Sequence, residues 1–408
     1  MFDFNPPSNK YWVPYIYARP KYIIIATPFG SRHVPLPLED FLVAVILTLL
    51  VVLATLYLFV PRRYLRRFCC CCCCCSCFNQ QNKRRGATKP RPVLIITDIG
   101  RDIDDTLALC TLNGLRKQGK VKIVGVVATG GNGLTRARVV RFWLRRFDIS
   151  DTSVPVAACM KDGRTECFIP KGTPSLESAA LYAGTAAELI LDCATTYPQQ
   201  LEIFALAPLT PLADALEMKD GLAQLTSGVK ILHIQGQSIL HEQEQLIYPD
   251  FAAFNLREDQ EASNNVFAAL QSVVPFRMLG KHAAYQVSLT RSDFSNWDTM
   301  TGTKEMTLGA KNNMNIFRTG NPTKFYQLYP IPEEHRNDDD WFDHMQEFSH
   351  PYDPLCLLAG FYPKLFHAKK IVSFHRAIGN TNDSLGVVDA EKTRLLLSKL
   401  IGDGVRGV

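Results

Sequence analysis

The stretch from Pro92 to Leu109, PVLIITDIGRDIDDTLAL, constrains the fold most, because an unbroken apolar run stops at Asp98, Asp102, Asp104 and Asp105. An apolar run without polar alternation reads as a strand covered on both faces, the kind found in parallel sheets. Four carboxylates within eight residues repel one another. A hard divalent cation relieves that repulsion, since Ca²⁺ and Mg²⁺ prefer oxygen ligands. The segment therefore predicts a metal site at the carboxyl end of a buried strand.

Beyond Arg91 the pattern continues as PVLIIT, then DDTLALCTLNGLRKQG, VKIVGVVAT and RARVVRFWLRRF, reading as strand, helix, strand, helix. Further strand signals follow in LEIFALAP, VKILHIQG and VVPFRMLG, and KTRLLLSKLI reads as a closing helix. The predicted class is α/β: an open, mostly parallel, Rossmann-like sheet with helices on both faces. Ligands of such sheets bind beyond the carboxyl ends of the strands, where Asp98 to Asp105 fall. Three more loops are candidates for the same place: ATGGNG (128–133), ALAPLTPLADAL (205–216) and HPYDPLCLLAG (350–360).

Phe41 to Val60 is twenty residues without a charge, the length of a transmembrane helix. It lies too far from the N-terminus, and has too long an apolar core, for a signal peptide. Arg62, Arg63, Arg66 and Arg67 follow it directly, and the positive-inside rule then places the larger C-terminal part in the cytosol of a single-pass membrane protein. Eight of the thirteen cysteines, Cys69, Cys70, Cys71, Cys72, Cys73, Cys74, Cys75 and Cys77, sit just past these arginines. Such a juxtamembrane block suits palmitoylation, and it lacks the CxxC spacing of a zinc-thiolate site. The expected organisation is a non-cytosolic tail (1–40), the span (41–60), a basic Cys-rich linker (61–90) and a folded domain (91–408). Residues 1–90 hold twelve Lys/Arg against three acids, and the remainder 33 against 36. The positive charge flanks the apolar span, which points to the lipid bilayer as a partner and away from nucleic acid.

The order and spacing of the loop motifs resemble the nucleoside hydrolases of the inosine-uridine type from about residue 91 to residue 400. The family's opening aspartate, glycine and Asp-Asp pair are similar to Asp98, Gly100, Asp104 and Asp105, with Asp102 in an insertion. The resemblance implies Ca²⁺ held by Asp98, Asp105, the Leu206 carbonyl and Asp353, with Asp98 also the base that takes a proton from water. It implies substrate contacts from Asp104, Asn132 and Asn255. Where the family has Glu-Phe-Asn this chain reads Ala253-Phe254-Asn255, and Tyr352 stands where purine-directed members carry a histidine, so Tyr352 is the candidate catalytic group at the leaving base.

N-glycoside cleavage passes through an oxocarbenium-like state and needs an activated water, charge near the ring and neutralisation of the departing base. The expected activity is Ca²⁺-dependent hydrolysis of the N-glycosidic bond of a purine or pyrimidine ribonucleoside, or a related ribosyl compound. The rival expectation, suggested by Ala253 and Tyr352, is a membrane-bound ribosyl-ligand binding protein with weakened catalysis. Self-association into a homo-oligomer stays open. A solvated loop of helix-capping acids accounts for one aspartate but not for four together with Asp353. A haloacid-dehalogenase-like phosphatase is disfavoured because Ile99-Gly100, not x-Asp, follows Asp98.

Overall fold

The computed structural model describes residues 89–406, apart from 162, 164–165, 337–339, 346, 373–374 and 380–385, together with three strands nearer the N-terminus. The chain forms two compact units, Met1–Gly86 and Ala87–Val408. In the first, β1 (Ile16–Arg19), β2 (Tyr22–Thr27) and β3 (Gly30–Pro35) make an antiparallel sheet in that order, within the stretch the sequence reads as a non-cytosolic tail. The β-branched Ile23-Ile24-Ile25 run favours this extended pairing. Among the described residues no helix is long and apolar enough to cross a membrane. The predicted span 41–60 and the cysteine block 69–77 lie outside the described residues.

The second unit begins with β4 (Arg91–Thr97), α1 (Ile103–Lys117), β5 (Val121–Ala128), α2 (Gly133–Arg146) and β6 (Val156–Ala158). Next come α3 (Ala186–Thr196), β7 (Leu201–Ala205), α4 (Thr210–Glu217), α5 (Gly221–Gly228) and β8 (Val229–Gln235). A hairpin of β9 (Ser238–His241) and β10 (Leu246–Pro249) leads to α6 (Phe254–Glu258), α7 (Gln260–Leu270), β11 (Phe276–Leu279) and α8 (Lys281–Ala284). A helical insertion follows: β12 (Leu289–Thr290), α9 (Arg291–Thr301), α10 (Glu305–Gly320), α11 (Pro322–Leu328) and β13 (Glu347–Ser349). The chain closes with α12 (Tyr352–Phe361), β14 (Lys369–Lys370), β15 (Arg376–Ile378) and α13 (Ala390–Val405).

Eight strands form one sheet in the order β14-β15-β11-β8-β7-β4-β5-β6, parallel except for β14. From β4 the chain winds to one side through β5 and β6, then returns to the other through β7, β8 and β11. The carboxyl ends of β4 and β7 therefore flank the switch point, where open α/β sheets leave a crevice. Alternate residues of β4 feed two cores: Val93 and Ile95 pack beneath α1 and α2, while Leu94 and Ile96 pack beneath α3 and α4. All four are fully buried, worth roughly 1.5–3 kcal/mol each, and this is why the strand reads as a continuous apolar run.

α1 starts where it does because the Asp102 carboxylate accepts from Asp104 N, with Asp104 and Asp105 acidic in the first turn. Asp102 thus supplies the ordinary capping role, and the remaining aspartates need another explanation. α13 lies across α1 at two glycines: a Cβ on Gly114 would strike the Leu400 carbonyl, and one on Gly404 the Cys110 carbonyl. Asn113 Nδ2 donates to Gly404 O at 2.6 Å across the same crossing. Gly404→Ala should force these helices apart and lower stability by about 1–3 kcal/mol. Urea denaturation should show a lower midpoint with an unchanged slope.

Candidate active site

A cavity of about 900 Å³ opens at the switch point, near the upper end of the roughly 300–1,000 Å³ typical of small-molecule pockets. Its acidic wall comes from the loop after β4, the first turn of α1 and the first turn of α12. Asp104, Asp105 and Asp353 are all buried, with carboxylate oxygens within 4.8 Å of one another. Thr97 Oγ1, at the end of β4, donates to Asp105 Oδ1, and Asp98 N donates to the same oxygen at 3.2 Å. Asp98 lines the cavity beside this trio and packs on Gly130, where a Cβ would sit 2.6 Å from that of Asp98. Gly130 has φ +82°, so both its backbone and its neighbour require glycine.

Burial pushes every one of these carboxyls upward. Asp98 rises from 3.8 to about 6, with Arg136 and Arg101 opposing the shift. Asp104, Asp105 and Asp353 rise well above the usual range, first through burial and then through mutual repulsion. An all-oxygen set that neutralises itself by holding protons fits a hard divalent cation, which would replace those protons.

The sign of the pH dependence follows. The metal-free fold holds extra protons from about pH 4 to beyond 6, so this cluster contributes stability at low pH that is lost as pH rises. Excess Ca²⁺ over chelator should raise the melting temperature by about 5–10 °C near neutrality and by almost nothing near pH 4. Thermal scans with Ca²⁺ or EDTA across that range measure the difference. An increment independent of pH would count against the cluster as the binding site.

The other predicted residues are placed as follows. Leu206 ends the run after β7 and lines the cavity, and its carbonyl accepts from Asn255 Nδ2 at 2.7 Å. Asn255 is buried in α6 and also donates to Gln235 Oε1 at 2.7 Å, leaving its own Oδ1 for a ligand. Ala253 lines the cavity just before it and brings no charge. Asp259 caps α7 by accepting from Ala262 N at 3.1 Å. Tyr352 opens α12 and faces the cavity with Tyr285 and His350, whose rings lie 6.0 and 6.3 Å from its own. Burial, then Tyr285 and Asp102, push its phenol well above 10. Asn132 is not brought to the cavity: it is an exposed left-handed residue (φ 49°) between two glycines, at the start of α2.

Two features escape the sequence reading. Arg136 is fully buried, donating to Gly131 O at 2.7 Å, Ile99 O at 2.8 Å, Glu166 O at 3.2 Å and Asp98 O. It ties together the loops after β4 and β5. A signal existed, because Arg136 falls on the Val139, Val140 and Trp143 stripe of α2, where a charge is out of pattern. The second feature is a set of cations in the cavity lining, Arg101, Arg257, Lys281 and Lys324, contributed by four separate segments. Arg101 and Arg257 both lie over the Phe254 ring, at 4.6 and 5.6 Å.

Comparison with known proteins agrees with this architecture. XopQ, a type III effector protein solved with adenosine diphosphate ribose, aligns over 78% of this chain and 95% of its own, with TM-score 0.66 and 21% identity. A plant nucleoside hydrolase, PpNRh1, covers 78% of this chain and 100% of its own (TM-score 0.52, 16% identity). The purine-preferring ribonucleoside hydrolase from Gardnerella vaginalis covers 77% and 99% (TM-score 0.51, 15% identity). These likenesses establish the fold, and a search of curated proteins finds no match. The sequence profile of the inosine-uridine preferring nucleoside hydrolases matches residues 93–394, and the chain belongs to that family.

Proposed function

We propose that the 91–408 domain hydrolyses the N-glycosidic bond of a ribonucleoside or related ribosyl compound, giving ribose and free base. The observation that carries this reading is the buried Asp104, Asp105 and Asp353 cluster with Asp98 beside it at the switch point. Asp98, Asp105, Asp353 and the Leu206 carbonyl are the residues to hold Ca²⁺, which when bound supplies a polarised water and an anchor for the ribose diol. Asp98, raised by burial in the metal-free site and lowered again by a bound cation, is the group to take the water's proton. Water adds at the anomeric carbon as the carbon–nitrogen bond breaks, and the electron pair leaves with the base. Asp104 and Asn255 Oδ1 orient the sugar. The Tyr352 phenol stays protonated at neutral pH and donates a hydrogen bond to the departing base within the aromatic wall.

The cationic lining favours a second reading of the substrate. A neutral nucleoside makes no use of the cations Arg257, Lys281 and Lys324 in the cavity lining, whereas a ribosyl compound bearing phosphate can engage them as well as the aspartates. Adenosine diphosphate ribose, the ligand of XopQ, has that form. The rival role, a binding protein with weak catalysis, draws on Ala253 and Tyr352.

A fragment from residue 88, assayed for base release from ribonucleosides, their 5′-phosphates and ADP-ribose with Ca²⁺ or EDTA, tests all three. Base release lost on chelation supports the enzyme. Binding without turnover across the panel supports the binding protein. As a setting, the proposal includes a membrane anchor at 41–60, acylation of the block Cys69–Cys77 and a cytosolic domain. A glycan on Asn382, the acceptor of the sequon Asn382-Asp383-Ser384, would reverse the orientation, and free thiols throughout the cysteine block would remove the acylation.

A further inference from the structure

We propose that Arg257 and Lys281 form a phosphoryl subsite beside the ribosyl site, and that Ala253 is the residue that leaves this subsite open to an anion. The inference rests on the reading of the aspartate cluster as the place where Ca²⁺ and ribose are held. It narrows the substrate of that cavity to a ribosyl compound carrying phosphate on the side of the sugar away from the base.

Three segments meet in this wall of the cavity. α6 contributes Asn255, whose Nδ2 donates to Leu206 O and to Gln235 Oε1, both at 2.7 Å. The turn after β8 comes next: a Cβ on Gly236 would lie 3.0 Å from Leu256 Cδ1, and a Cβ on Gly280 would lie 2.9 Å from Gln237 Cγ. That close packing seats the start of α8, and with it Lys281, against the same turn. Arg257 follows Asn255 by two residues and Lys281 follows Gly280 directly. Both cations are thereby tied to the side chain that touches the Leu206 carbonyl, and both line the cavity.

The wall brings two cations and no acid into the cavity lining. The acids of the neighbouring sequence serve elsewhere: Asp250 Oδ1 accepts from Ala252 N at 2.8 Å, Asp259 Oδ2 pairs with Lys161 Nζ at 2.8 Å, and Glu258 does not line the cavity. Among the described residues neither Arg257 nor Lys281 has an ion pair. Arg257 lies over the Phe254 ring at 5.6 Å, a contact that orients the guanidinium and leaves its N–H groups free for a ligand. Arg101 lies over the same ring at 4.6 Å and also faces Asp98 and Asp102, so it marks the border between this wall and the acids. A phosphate carries about −1.5 to −2 charges and three acceptor oxygens, which suit a guanidinium and an ammonium held on one wall. Ala253, 6% exposed, lines the cavity two residues before Asn255. A carboxylate at that position would stand beside the sugar contact and repel the phosphate, whereas a methyl group does not.

The test is calorimetric binding of ribose 5-phosphate and of ribose to the full chain with Ca²⁺ in excess. Neither ligand has an N-glycosidic bond, so binding is read apart from turnover. Ribose 5-phosphate should bind about 100-fold more tightly than ribose, and added salt should lower that ratio. Arg257→Ala and Lys281→Ala should each reduce the ratio by about 10-fold, and the double variant should bring it near unity with ribose affinity unchanged. Ala253→Glu should weaken ribose 5-phosphate by about 10-fold or more and leave ribose as it was. Arg257 is exposed and Lys281 half-buried, so their variants should melt as the wild type does. Equal affinity for the two ligands in the wild type, or no binding of ribose 5-phosphate, would overturn the subsite. So would a ratio that survives in the double variant, which would put the phosphate on Ca²⁺, or one that Ala253→Glu does not change. The hydrolase reading fails separately: an intact preference for ribose 5-phosphate with no base release from any nucleoside or 5′-phosphate would sink the activity and leave the subsite standing.

Discussion

Asp98→Asn should lower kcat/KM for N-glycoside hydrolysis by roughly 10²–10⁴-fold, the range a positioned general base contributes. The substitution is nearly isosteric and spares the scaffold. The contacts Asp98 makes to its loop are through the backbone: its N–H donates to Asp105 at 3.2 Å, and its carbonyl accepts from Arg136. Only the carboxylate changes. Burial raises that carboxylate in the metal-free protein and bound Ca²⁺ would oppose the shift, so the acid limb of the wild-type rate should lie below about pH 6 with Ca²⁺ in excess, and the residual activity of the variant should lose this limb. The variant should be at least as stable as wild type in EDTA, because one of the mutually repelling acids is gone. Turnover unchanged in Asp98→Asn would assign the base elsewhere.

The second large effect is expected at Arg136, for structural reasons. Arg136→Met should cost on the order of 3 kcal/mol or more and should weaken Ca²⁺ binding as well. A methionine fills most of the volume but leaves the carbonyls of Asp98, Ile99, Gly131 and Glu166 without their buried donor. It also removes the cation that opposes the upward shift of Asp98 and Asp105. Arg136→Lys should rescue little, since one ammonium cannot span acceptors on three loops as a planar guanidinium does. Urea denaturation gives the stability and a Ca²⁺ titration gives the site. A loss below about 0.5 kcal/mol would mean the loops hold themselves.

Much of the sheet was legible because its central strands are buried on both faces and therefore spell continuous apolar runs, as in PVLIIT and VKIVGVV. The helices α1 and α2 announce themselves by their period, and α1 also by its cap at Asp102. The closing helix was legible only to Ile401. It continues through Gly402 and Gly404 because those glycines serve a close helix crossing, a tertiary use that local propensity cannot reveal. The insertion between β12 and β13 gave little signal, since its helices are held by aromatic packing around Phe325 and Trp341.

The sequence by itself determined the α/β class and the strand end that carries the aspartates, because local charge repulsion and unbroken apolar runs are properties of neighbours in the chain. Only the tertiary structure decided which carboxylates meet. It brings Asp104 and Asp105 to Asp353, some 250 residues away, sets Asp98 beside them and turns Asn132 outward. It also decided that four cations from separate segments line one cavity, and that Arg136 joins the loops around Asp98. Spatial convergence depends on the strand order about the switch point, and no stretch of sequence contains it.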